Sequence, residues 1–409
     1  MVMKILLANK YFYLKGGAET SFFQTAKLLE DKGHKVIFIS MIHPRNLPSI
    51  YEKHFVSNVN YEQGNLIDNI NASLKILYSF EARRKIEKLI KDKKPDIAHL
   101  NNIYHQISPS ILHSLKRFDI PVIMSLRDFK LVCASYSMLC DGKICEVCKA
   151  GRYYNCFFRG CVKNSKAKSL LNTIEMYLHH KILHIYDLVD VFISPSRFLK
   201  SKLKEMGFKD KIVYLPNFVN IDEFIPKYDW DESSIVYFGR LSKEKGLFTL
   251  IEAVKGLNVK LKIIGEGPMK EALGCRVKDE GIKNVELLGY KTGEDLKDEI
   301  RESMFVVLPS EWYENNPRSI IEGFALGKPA IGSRIGGILE LVKDNETGLT
   351  FKTGNADDLR EKIIHLFKKP AEIETMGRNA RKMVEEEFNS EKHYEKLIEI
   401  YKQVQSKSF

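Results

Sequence analysis

The stretch SSIVYFGR, residues 233–240, is a short apolar run of strand-forming residues that is followed by a helical pattern. Similar runs alternate with helical patterns along nearly the whole chain. They are KILLANK (4–10), KVIFIS (35–40), DIAHLNN (96–102), PVIMSL (121–126), VFISPS (191–196), VKLKIIGEG (259–267), VELLGY (285–290), MFVVLPS (304–310) and PAIGSR (329–334). Strands that are apolar on both faces and separated by amphipathic helices indicate parallel sheets covered by helices.

The runs form two series in a chain of 409 residues and 47.2 kDa. This arrangement predicts an α/β protein with two doubly wound, Rossmann-like domains. The periodicity lapses in residues 212–233, where Pro216 and Pro226 interrupt it. We therefore predict a first domain over residues 1–212 and a second over residues 213–390.

The segment after residue 355 is an amphipathic helical pattern with breaks at Pro370 and around Asn389. The sequence has no run of about 18 apolar residues of the kind that crosses a bilayer. Its first residues, MVMKILLANKYFYLKGG, have no charged region ahead of their short apolar run, so we expect no secretion signal.

The positive charge is concentrated in the first half of the chain. Residues 1–200 contain 30 Lys and Arg against 17 Asp and Glu, and the whole chain has a formal net charge of +11. A basic half points to an anionic membrane face, a nucleic acid or a phosphorylated substrate. A solvated surface with no partner is the plainer alternative, and charge alone leaves it open.

Glycine-rich loops follow predicted strands in both halves. Gly16 and Gly17 open a helix, where the backbone can approach a ligand and the helix N-terminus favours an anion. Gly265 and Gly267 lie in a loop that can pass under a base or a phosphate. The first loop lacks the G-x-G-x-x-G spacing, a lone G-x-G is a weak signal, and turns that need glycine are the alternative.

Two cations follow the strand in YFGRLSKEKGL (237–247), namely Arg240 and Lys245. Open α/β sheets bind ligands at the C-terminal ends of their strands, so this pair suits a diphosphate. Surface lysines are common, and Arg240 is therefore the stronger signal.

The stretch YENNPRSIIEGFALGKP (313–329) places Glu314 and Glu322 around a predicted helix start, with Asn316 as the N-cap and Pro317 as the first helical residue. Carboxylates accept hydrogen bonds from sugar and ribose hydroxyls, and amides at a helix start suit phosphate. The pattern predicts a site for both ends of a nucleotide sugar. Two solvated surface charges are the alternative.

Taken together, these motifs resemble the retaining glycosyltransferases of family 4, which have the GT-B fold. The resemblance rests on Glu-x7-Glu followed by GFALGKPAIGSRIGGILELV (323–342), FGRLSKEKG (238–246), IIGEGP (263–268), NKYFYLKGGAE (9–19), SPSRFLKSKL (194–203) and YLPNFVN (214–220). It covers essentially the whole chain. It implies an acceptor-side first domain and a donor-binding second domain that face each other across a cleft.

The resemblance also implies roles for the residues of the donor site. Arg240 and Lys245 would bind the donor diphosphate, Glu322 would bind the ribose, and Glu314 would face the sugar ring. Members of the family retain the anomeric configuration and need no divalent metal, because side chains and helix ends stabilise the leaving group.

Further contacts follow from the same resemblance. Backbone at Asn316 and Pro317 would contact the sugar hydroxyls, and Gly16 and Gly17 would close over the phosphates. The last helix, over residues 391–409, would cross back to the first domain.

One position departs from the family pattern. Many relatives carry His-Asp after the fourth strand, where this chain has Arg127 and Asp128. An arginine can pair with phosphate but does not exchange a proton at neutral pH. We include both residues in the predicted site, with altered specificity or impaired activity as the consequences to test.

Residues 127–165 fit neither series of strands and contain six of the seven cysteines. We predict an irregular insertion. Four of its cysteines have the spacing Cys-x2-Cys-x7-Cys-x4-Cys, namely Cys145, Cys148, Cys156 and Cys161. In a reducing cytosol this spacing favours a structural zinc site, with disulfides or free thiols as the alternatives.

Basic and aromatic side chains alternate at the end of the insertion. They are Arg152, Tyr153, Tyr154, Phe157, Phe158, Arg159 and Lys163. This composition suits a membrane surface or an acceptor headgroup, unless the rings pack beneath the loop. The following segment holds His179, His180 and His184, which could form a metal site or a base but are more typical of packed or surface residues.

We therefore expect a retaining hexosyltransferase of cell-surface polysaccharide biosynthesis, with a UDP- or GDP-linked sugar as donor and a glycan or polyprenyl-diphosphate-linked acceptor. It is expected in the cytoplasm at the inner face of the cell membrane, in contact with anionic lipid and without a nucleic acid partner. The alternatives are a GT-B nucleotide-sugar epimerase and a non-catalytic, basic membrane- or nucleic-acid-binding protein with a zinc knuckle.

Overall fold

A computed structural model describes residues 2–58, 73–230 and 233–406. In these residues the chain builds two six-stranded sheets whose neighbouring strands all pair in parallel. Parallel strands need crossover connections, and helices supply most of them here. The prediction of two doubly wound α/β domains is confirmed.

The first sheet contains β1 (Lys4–Ala8), β2 (Lys35–Ile39), β3 (Ile97–Leu100), β4 (Val122–Ser125), β7 (Val191–Ser194) and β8 (Ile212–Tyr214). Between β4 and β7 lies a small antiparallel hairpin of β5 (Leu139–Cys140) and β6 (Lys143–Ile144). The strand order of the sheet is β2-β1-β3-β4-β7-β8.

The second sheet contains β9 (Ser234–Phe238), β10 (Lys260–Ile264), β11 (Val285–Gly289), β12 (Val306–Leu308), β13 (Ala330–Ser333) and β14 (Gly348–Phe351). Its order is β11-β10-β9-β12-β13-β14, in which the third strand, β11, lies at the edge, whereas the third strand of the first sheet, β3, lies between β1 and β4. In both sheets the order reverses beside the first strand, and ligands bind at such points in open α/β folds.

Each predicted run forms a strand, and the sheets gain two strands that the sequence did not predict. β8 has three residues, of which only Ile212 is fully buried, and it lies in the segment that was predicted as the seam. β14 reads GLTF, so it lacks the continuous apolar character of the other strands. Both are edge strands of their sheets, where such sequences are tolerated.

The α-helices of the first domain are Gly17–Asp31, Phe80–Lys93, Ile111–Arg117, Tyr154–Arg159, Lys166–Tyr177 and Arg197–Glu205. Those of the second are Leu247–Val254, Lys270–Asp279, Gly293–Arg301, Arg318–Ala325, Ile338–Leu341, Ala356–Phe367 and Pro370–Glu387, and Ser390–Ser406 follows them. Polar caps set several helix starts. The Ser79, Ser196 and Asn355 side chains, for example, accept hydrogen bonds from amides three residues later.

The first sheet is buried on both faces, as β1 illustrates. Leu6 and Ala8 belong to one apolar cluster, and Ile5 and Leu7 belong to another on the opposite face. The helix Ser390–Ser406 completes the second cluster with a set of buried residues, namely Leu397, Ile398, Ile400, Tyr401 and Val404. The expectation that the last helix crosses back to the first domain is thus confirmed for the described residues.

The division of the chain at residues 212/213 stays a prediction. Residues 231 and 232 of the predicted seam and residues 407–409 of the predicted last helix lie outside the described residues. No helix within the described ranges is long and apolar enough to cross a membrane.

Candidate active site

The loops at the C-terminal edges of the two sheets meet across a cleft. Asn217, which follows β8, accepts hydrogen bonds from Ser21 (3.2 Å) and from Arg127 (2.8 Å) in the first domain. Asn315, which follows β12, donates through Nδ2 to the backbone oxygen of Arg127 (3.0 Å). These contacts join the loops that follow β4, β8 and β12 at the C-terminal edges of the two sheets.

Glu314 is buried at the end of β12, and its carboxylate is held by three donors. Its Oε1 accepts hydrogen bonds from Lys245 Nζ (2.5 Å), Ser310 Oγ (2.6 Å) and Trp312 Nε1 (2.9 Å). Burial alone would raise the pKa of Glu314, but the Lys245 ammonium and these hydrogen bonds lower it below its ordinary value. Glu314 is therefore an ionised carboxylate at neutral pH.

A close backbone approach brings Lys245 to Glu314. Gly246 has φ +66°, and a Cβ at this position would lie 2.0 Å from the Pro309 carbonyl oxygen. The amide of Glu311 donates to the carbonyl of Glu244 (2.8 Å) beside this contact. Only glycine fits here, so Gly246 is the residue that places the Lys245 ammonium against the end of β12.

Arg240 is exposed in the loop after β9, and its side chain has no hydrogen-bond or ion-pair partner within the described ranges. The loop is fixed from below by Gly265 and Gly267. A Cβ on Gly265 would lie 1.9 Å from the Gly239 oxygen, and one on Gly267 would lie 2.2 Å from the Leu241 oxygen. Glycine is therefore needed at both positions so that the backbone can pack against the loop that carries Arg240.

Glu322 is half-buried on the helix Arg318–Ala325 and pairs with Arg318. The Arg318 Nε and Nη2 atoms lie 3.2 and 3.0 Å from Glu322 Oε1, and Nη1 donates to the Phe218 oxygen (3.2 Å). The side chain of Arg318 also passes 3.5 Å from the Cβ position of Gly17 in the first domain. Arg318 therefore connects the second carboxylate to the loop that opens the first helix.

The helix start differs in detail from the prediction. The helix begins at Arg318, with Pro317 in extended geometry at the cap position. Asn316 does not cap it, because its side-chain oxygen accepts from the Asn217 amide (3.0 Å) and its backbone oxygen from Asn217 Nδ2 (3.1 Å). Proline has no amide hydrogen, so the amides at this helix start that have no hydrogen-bond partner among the described residues are those of Arg318 and Ser319.

Gly16 and Gly17 lie at the start of the first helix, as predicted. Gly16 has extended geometry (φ −177°), which any residue adopts, and Gly17 faces Arg318 across the cleft at ordinary contact distance. The absence of a side chain at Gly17 keeps this side of the cleft open above the Arg318–Glu322 pair.

Arg127 bridges the two domains. It bonds to Asn217 Oδ1 through Nη1 (2.8 Å) and to Asn101 Oδ1 through Nε (3.4 Å) and Nη2 (3.3 Å). Burial and the nearby Arg318 charge lower the pKa of Arg127 to about 10, so it remains cationic at neutral pH. Its side chain is thus held by two amides in the described structure, and its predicted catalytic role stays a prediction.

Asp128 is half-buried beside Arg127, and its Oδ1 accepts from the Lys130 amide (2.9 Å). Burial raises the pKa of Asp128, and the Lys10, Lys130 and His105 charges oppose that shift. Lys130 itself forms a buried ion pair with Glu175 (2.7 Å). Asp128 is therefore bonded to the backbone of Lys130, whose side chain forms a buried ion pair inside the first domain.

The cysteine-containing insertion contacts the donor-side loop directly. The Tyr313 hydroxyl donates to Glu146 Oε1 (2.7 Å), and Lys202 Nζ lies 2.9 Å from the same oxygen. The Tyr313 ring packs between Phe129 and Phe198, with ring centres 6.1 and 5.0 Å away. Tyr313 precedes Glu314 in the chain, so residues 127–165 form part of the wall of the site.

The prediction of a zinc site at the cysteine quartet is not confirmed. No group of three or more His, Cys, Asp or Glu in the described residues could hold a metal ion, and all seven cysteines are free thiols. Cys148 and Cys156 are buried in a small apolar cluster, and burial raises the pKa of Cys148 to about 12. Cys145 and Cys161 are half-buried, and the Arg159 guanidinium lies 3.6 Å from Cys145 Sγ.

The insertion is also more regular than predicted, since it contains the β5–β6 hairpin and the helix Tyr154–Arg159. Its aromatic residues divide into two groups. Tyr153 packs in the small core, whereas Tyr154 and Phe158 are exposed, Phe158 to 66%. Packing beneath the loop is therefore confirmed for Tyr153, and contact of the exposed rings with a membrane or an acceptor headgroup stays a prediction.

The three histidines after the insertion are packed or surface residues, as favoured. His179 is buried and its Nε2 lies 2.7 Å from the Leu77 oxygen, and the His180 ring packs on Tyr186 with centres 4.8 Å apart. His184 is exposed beside Asp187 (3.3 Å).

The sequence did not identify several residues that build the site. They are Ser310, Trp312, Arg318, Asn217 and Glu146. The first three lie within eight residues of a predicted glutamate and carry hydrogen-bond donors. This closeness in sequence is the signal that could have identified them. Asn217 and Glu146 are distant in sequence, and only the fold brings them to the cleft.

Comparison with known proteins places the whole chain in one class. Residues 15–223 match the model of Glycosyltransferase Family 4, and residues 220–383 match the model of Glycosyl transferases group 1. An uncharacterized glycosyltransferase of Methanocaldococcus jannaschii is 25% identical over 401 residues, which is 97% of this chain and 96% of that protein.

An uncharacterized 42.6 kDa protein in the cps region of Klebsiella pneumoniae is 30% identical over 354 residues, which is 83% of this chain and 87% of that protein. Among solved structures, Anabaena HepE in complex with UDP-glucose superposes with a TM-score of 0.70 at 16% identity. The match covers 98% of this chain and all of that one. At this identity the likeness supports the fold alone.

Proposed function

The chain belongs to glycosyltransferase family 4 and is a GT-B glycosyltransferase. On that premise we propose that it moves a hexose from a nucleoside diphosphate sugar to a glycan or lipid-linked acceptor, with retention, in the biosynthesis of a cell-surface polysaccharide. The acceptor oxygen forms the new bond to the anomeric carbon as the bond to the diphosphate breaks. The acceptor proton leaves with the diphosphate, so the charge balances.

The observation that carries this proposal is the pair of carboxylates around the helix start at Arg318. Glu314 is held by Lys245 and Glu322 by Arg318, and both lie at the C-terminal edge of the second sheet. Fixed carboxylates are good acceptors for hydroxyl groups of a sugar and a ribose. We assign Glu322 to the ribose and Glu314 to the transferred sugar.

The diphosphate is assigned to Arg240 and Lys245, with the free amides of Arg318 and Ser319 beside them. Arg240 has no partner in the described residues, whereas Lys245 can exchange its contact with Glu314 for the phosphate. Cations and amides that are fixed before the reaction stabilise the charge that develops on the leaving group. No divalent metal is needed in this proposal.

We propose a UDP- or GDP-linked donor. The HepE complex contains UDP-glucose, which supports a nucleoside diphosphate sugar without deciding the base here. A thermal-shift screen with UDP, GDP and ADP tests the proposal. The matching nucleotide should stabilise the wild type, and Arg240→Gln should reduce the shift, with Arg84→Gln on the exposed face of the first domain as the control. No shift with any nucleotide would contradict the proposal.

We propose a cytoplasmic enzyme in peripheral contact with an anionic membrane. The basic first half of the chain supports this location, as do the exposed Phe158 and Tyr154 next to Arg159 and Lys163. Co-sedimentation with vesicles is the test. Binding should require anionic lipid and weaken in high salt, and equal binding to neutral vesicles would contradict it.

A further inference from the structure

A second group of cations lies on the acceptor side of the cleft, in the loops that follow β1 and β2. We name it the cation–tyrosine cluster, and it consists of Lys10, Tyr11, Tyr13, Lys15, His43 and Arg45. Both loops lie at the C-terminal edge of the first sheet. Backbone hydrogen bonds join them, from Met41 to the Lys10 oxygen (3.4 Å) and from Leu47 to the Phe12 oxygen (2.9 Å).

The cations of the cluster rest on aromatic rings. Lys15 Nζ donates to the Tyr11 hydroxyl (2.8 Å) and lies 3.9 Å from the centre of its ring. Arg45 Nη2 donates to the Tyr13 hydroxyl (3.3 Å), and its guanidinium carbon lies 4.5 Å from the centre of that ring. The rings orient the two cations and leave their charge uncompensated.

No carboxylate neutralises these cations by a direct ion pair. In the described part of the chain, Lys10, Lys15 and Arg45 have no carboxylate oxygen within 4.0 Å. Glu19 and Asp128 are the nearby acids. Burial raises the pKa of both carboxyl groups, and the Lys10 charge opposes both shifts.

Exposed apolar side chains flank the same loops. Leu14 is 62% exposed, Ile42 44%, Leu47 48% and Ile50 83%. Single exposed apolar residues are ordinary, but four of them on two joined loops beside free cations form an amphiphilic surface. A ligand that suits it has an anionic group and a hydrocarbon chain.

The cluster also lies next to the donor side of the cleft. Lys15 immediately precedes Gly16 and Gly17, and Gly17 faces Arg318. A ligand held by Lys15 and Arg45 would therefore present its adjoining group toward the donor helix.

From this placement we infer that the cation–tyrosine cluster binds the phosphate of a lipid-linked acceptor, with the lipid chain running along Leu14 and Ile42. The inference rests on the proposed glycosyltransferase function and specifies the acceptor. Lys15 and Arg45 contact the phosphate, and Tyr11 and Tyr13 hold the two cations in place.

The test uses binding to the full-length chain, so it does not depend on finding the donor. The probe is farnesyl diphosphate, measured by calorimetry with wild type, Lys15→Gln and Arg45→Gln. We expect each variant to weaken binding by about fivefold and the double variant by more than about tenfold, since each removes a charged contact. Arg84→Gln is the matched control and should bind like wild type.

Two further arms separate the parts of the ligand. Farnesol should not bind measurably, because it lacks the anion. Leu14→Ser with Ile42→Ser should weaken farnesyl diphosphate about fivefold and leave inorganic diphosphate unchanged, whereas Ile225→Ser on the second domain should affect neither. Unchanged melting temperatures show that the variants are folded.

The outcomes distinguish this inference from the proposed function. If Arg240→Gln weakens UDP or GDP binding while Lys15→Gln and Arg45→Gln leave farnesyl diphosphate binding unchanged, the inference is wrong and the donor site stands. If no nucleotide binds but the cluster variants still lose farnesyl diphosphate, the chain has a lipid-phosphate site and the proposed function fails. Equal weakening by Arg84→Gln would reduce the cluster to general surface charge and overturn the inference.

Discussion

The donor-side and acceptor-side edges of the cleft hold most of their cations in different ways, although Arg240 on the donor side has no ion-pair partner in the described residues, like the acceptor-side cations. On the donor side, Lys245 and Arg318 are each paired with a carboxylate, Glu314 or Glu322. On the acceptor side, Lys15 and Arg45 rest on tyrosine rings and have no carboxylate partner in the described residues. A carboxylate fixed by a cation suits recognition of hydroxyl groups, whereas a free cation suits an anion. The difference therefore indicates where the sugar and the acceptor phosphate are recognised.

The largest expected effect is on turnover, from Glu314→Ala. We expect kcat to fall by about a hundredfold, because the proposed contact with the transferred sugar is lost. The dissociation constant for the nucleotide should change less than about threefold, since Lys245 stays available to the diphosphate. Steady-state kinetics and calorimetry measure the two quantities.

Glu311→Ala is the matched control, because Glu311 lies in the same loop but its carboxylate accepts a hydrogen bond from Thr249 (2.6 Å), whereas Lys245 bonds to Glu314. Equal losses of kcat in the two variants would show that the loop, rather than the Glu314 carboxylate, determines turnover.

A smaller effect is expected on nucleotide affinity from Glu322→Ala. The loss of a charged acceptor for ribose hydroxyls should weaken nucleotide binding by about twentyfold and change kcat little at saturating donor. Arg318→Gln should have an intermediate effect because Arg318 orients Glu322. If Glu314→Ala and Glu322→Ala both lose only nucleotide affinity, the assignment of Glu314 to the transferred sugar and of Glu322 to the ribose is wrong.

Acid should lower the stability contributed by the histidines of the first domain's core and by Glu314 on the donor side at different pH values. Burial lowers the pKa of His99 and of His393 in the first domain's core to about 3, below the ordinary value of about 6.5. The unfolded state therefore binds more protons, and stability should fall as pH drops from about 6.5 toward 3, by up to about 1.4 kcal/mol per pH unit for each histidine. The lowered pKa of Glu314 acts only below about 4.5, because stability from a depressed carboxyl pKa is lost at lower pH.

Chemical denaturation at pH 7 and pH 5 measures this difference. His99→Asn removes one titrating group and should reduce the stability loss between the two pH values, although it also removes the bonds of His99 to Tyr401 and Ser125 (both 2.7 Å) and lowers stability at pH 7. An unchanged pH dependence in this variant would contradict the assignment.

The smallest effect is expected where the insertion meets the donor side. Tyr313→Phe removes the hydrogen bond to Glu146 and should lower kcat/KM by about threefold and stability by about 1 kcal/mol. Tyr51→Phe is the control, since its hydroxyl donates to the Val36 oxygen (3.2 Å) away from the cleft. Both variants should lose similar stability, and equal kinetic effects would show that the insertion does not position the loop of Glu314.

Much of the fold could be predicted from the sequence because buried parallel strands leave continuous apolar runs, as in KILLANK and SSIVYFGR. The short edge strands escaped prediction, because β8 and β14 carry little apolar signal. The end helices were predicted well, since their amphipathic pattern and the breaks at Pro370 and Asn389 are local features.

The site was predictable where a motif is local and was not where the fold joins distant segments. Glu314, Glu322, Arg240 and Lys245 do lie around one cleft edge, but the ion pair between Lys245 and Glu314 depends on the tight approach at Gly246. The zinc prediction is not confirmed in the described residues, because spacing reports which thiols could meet and not how the folded chain arranges them. The cation–tyrosine cluster combines two loops that are distant in sequence, so no single motif marks it.

The most direct test of the central claim is product analysis with a panel of UDP- and GDP-linked hexoses and a lipid-diphosphate-linked acceptor. We predict transfer of one sugar, release of the nucleoside diphosphate, and an anomeric configuration, read by NMR, that matches the donor. Glu314→Ala should abolish most of this product while nucleotide binding remains. Epimerised nucleotide sugar without transfer, an inverted product, or no reaction with any donor by a protein that binds the nucleotide would contradict the account.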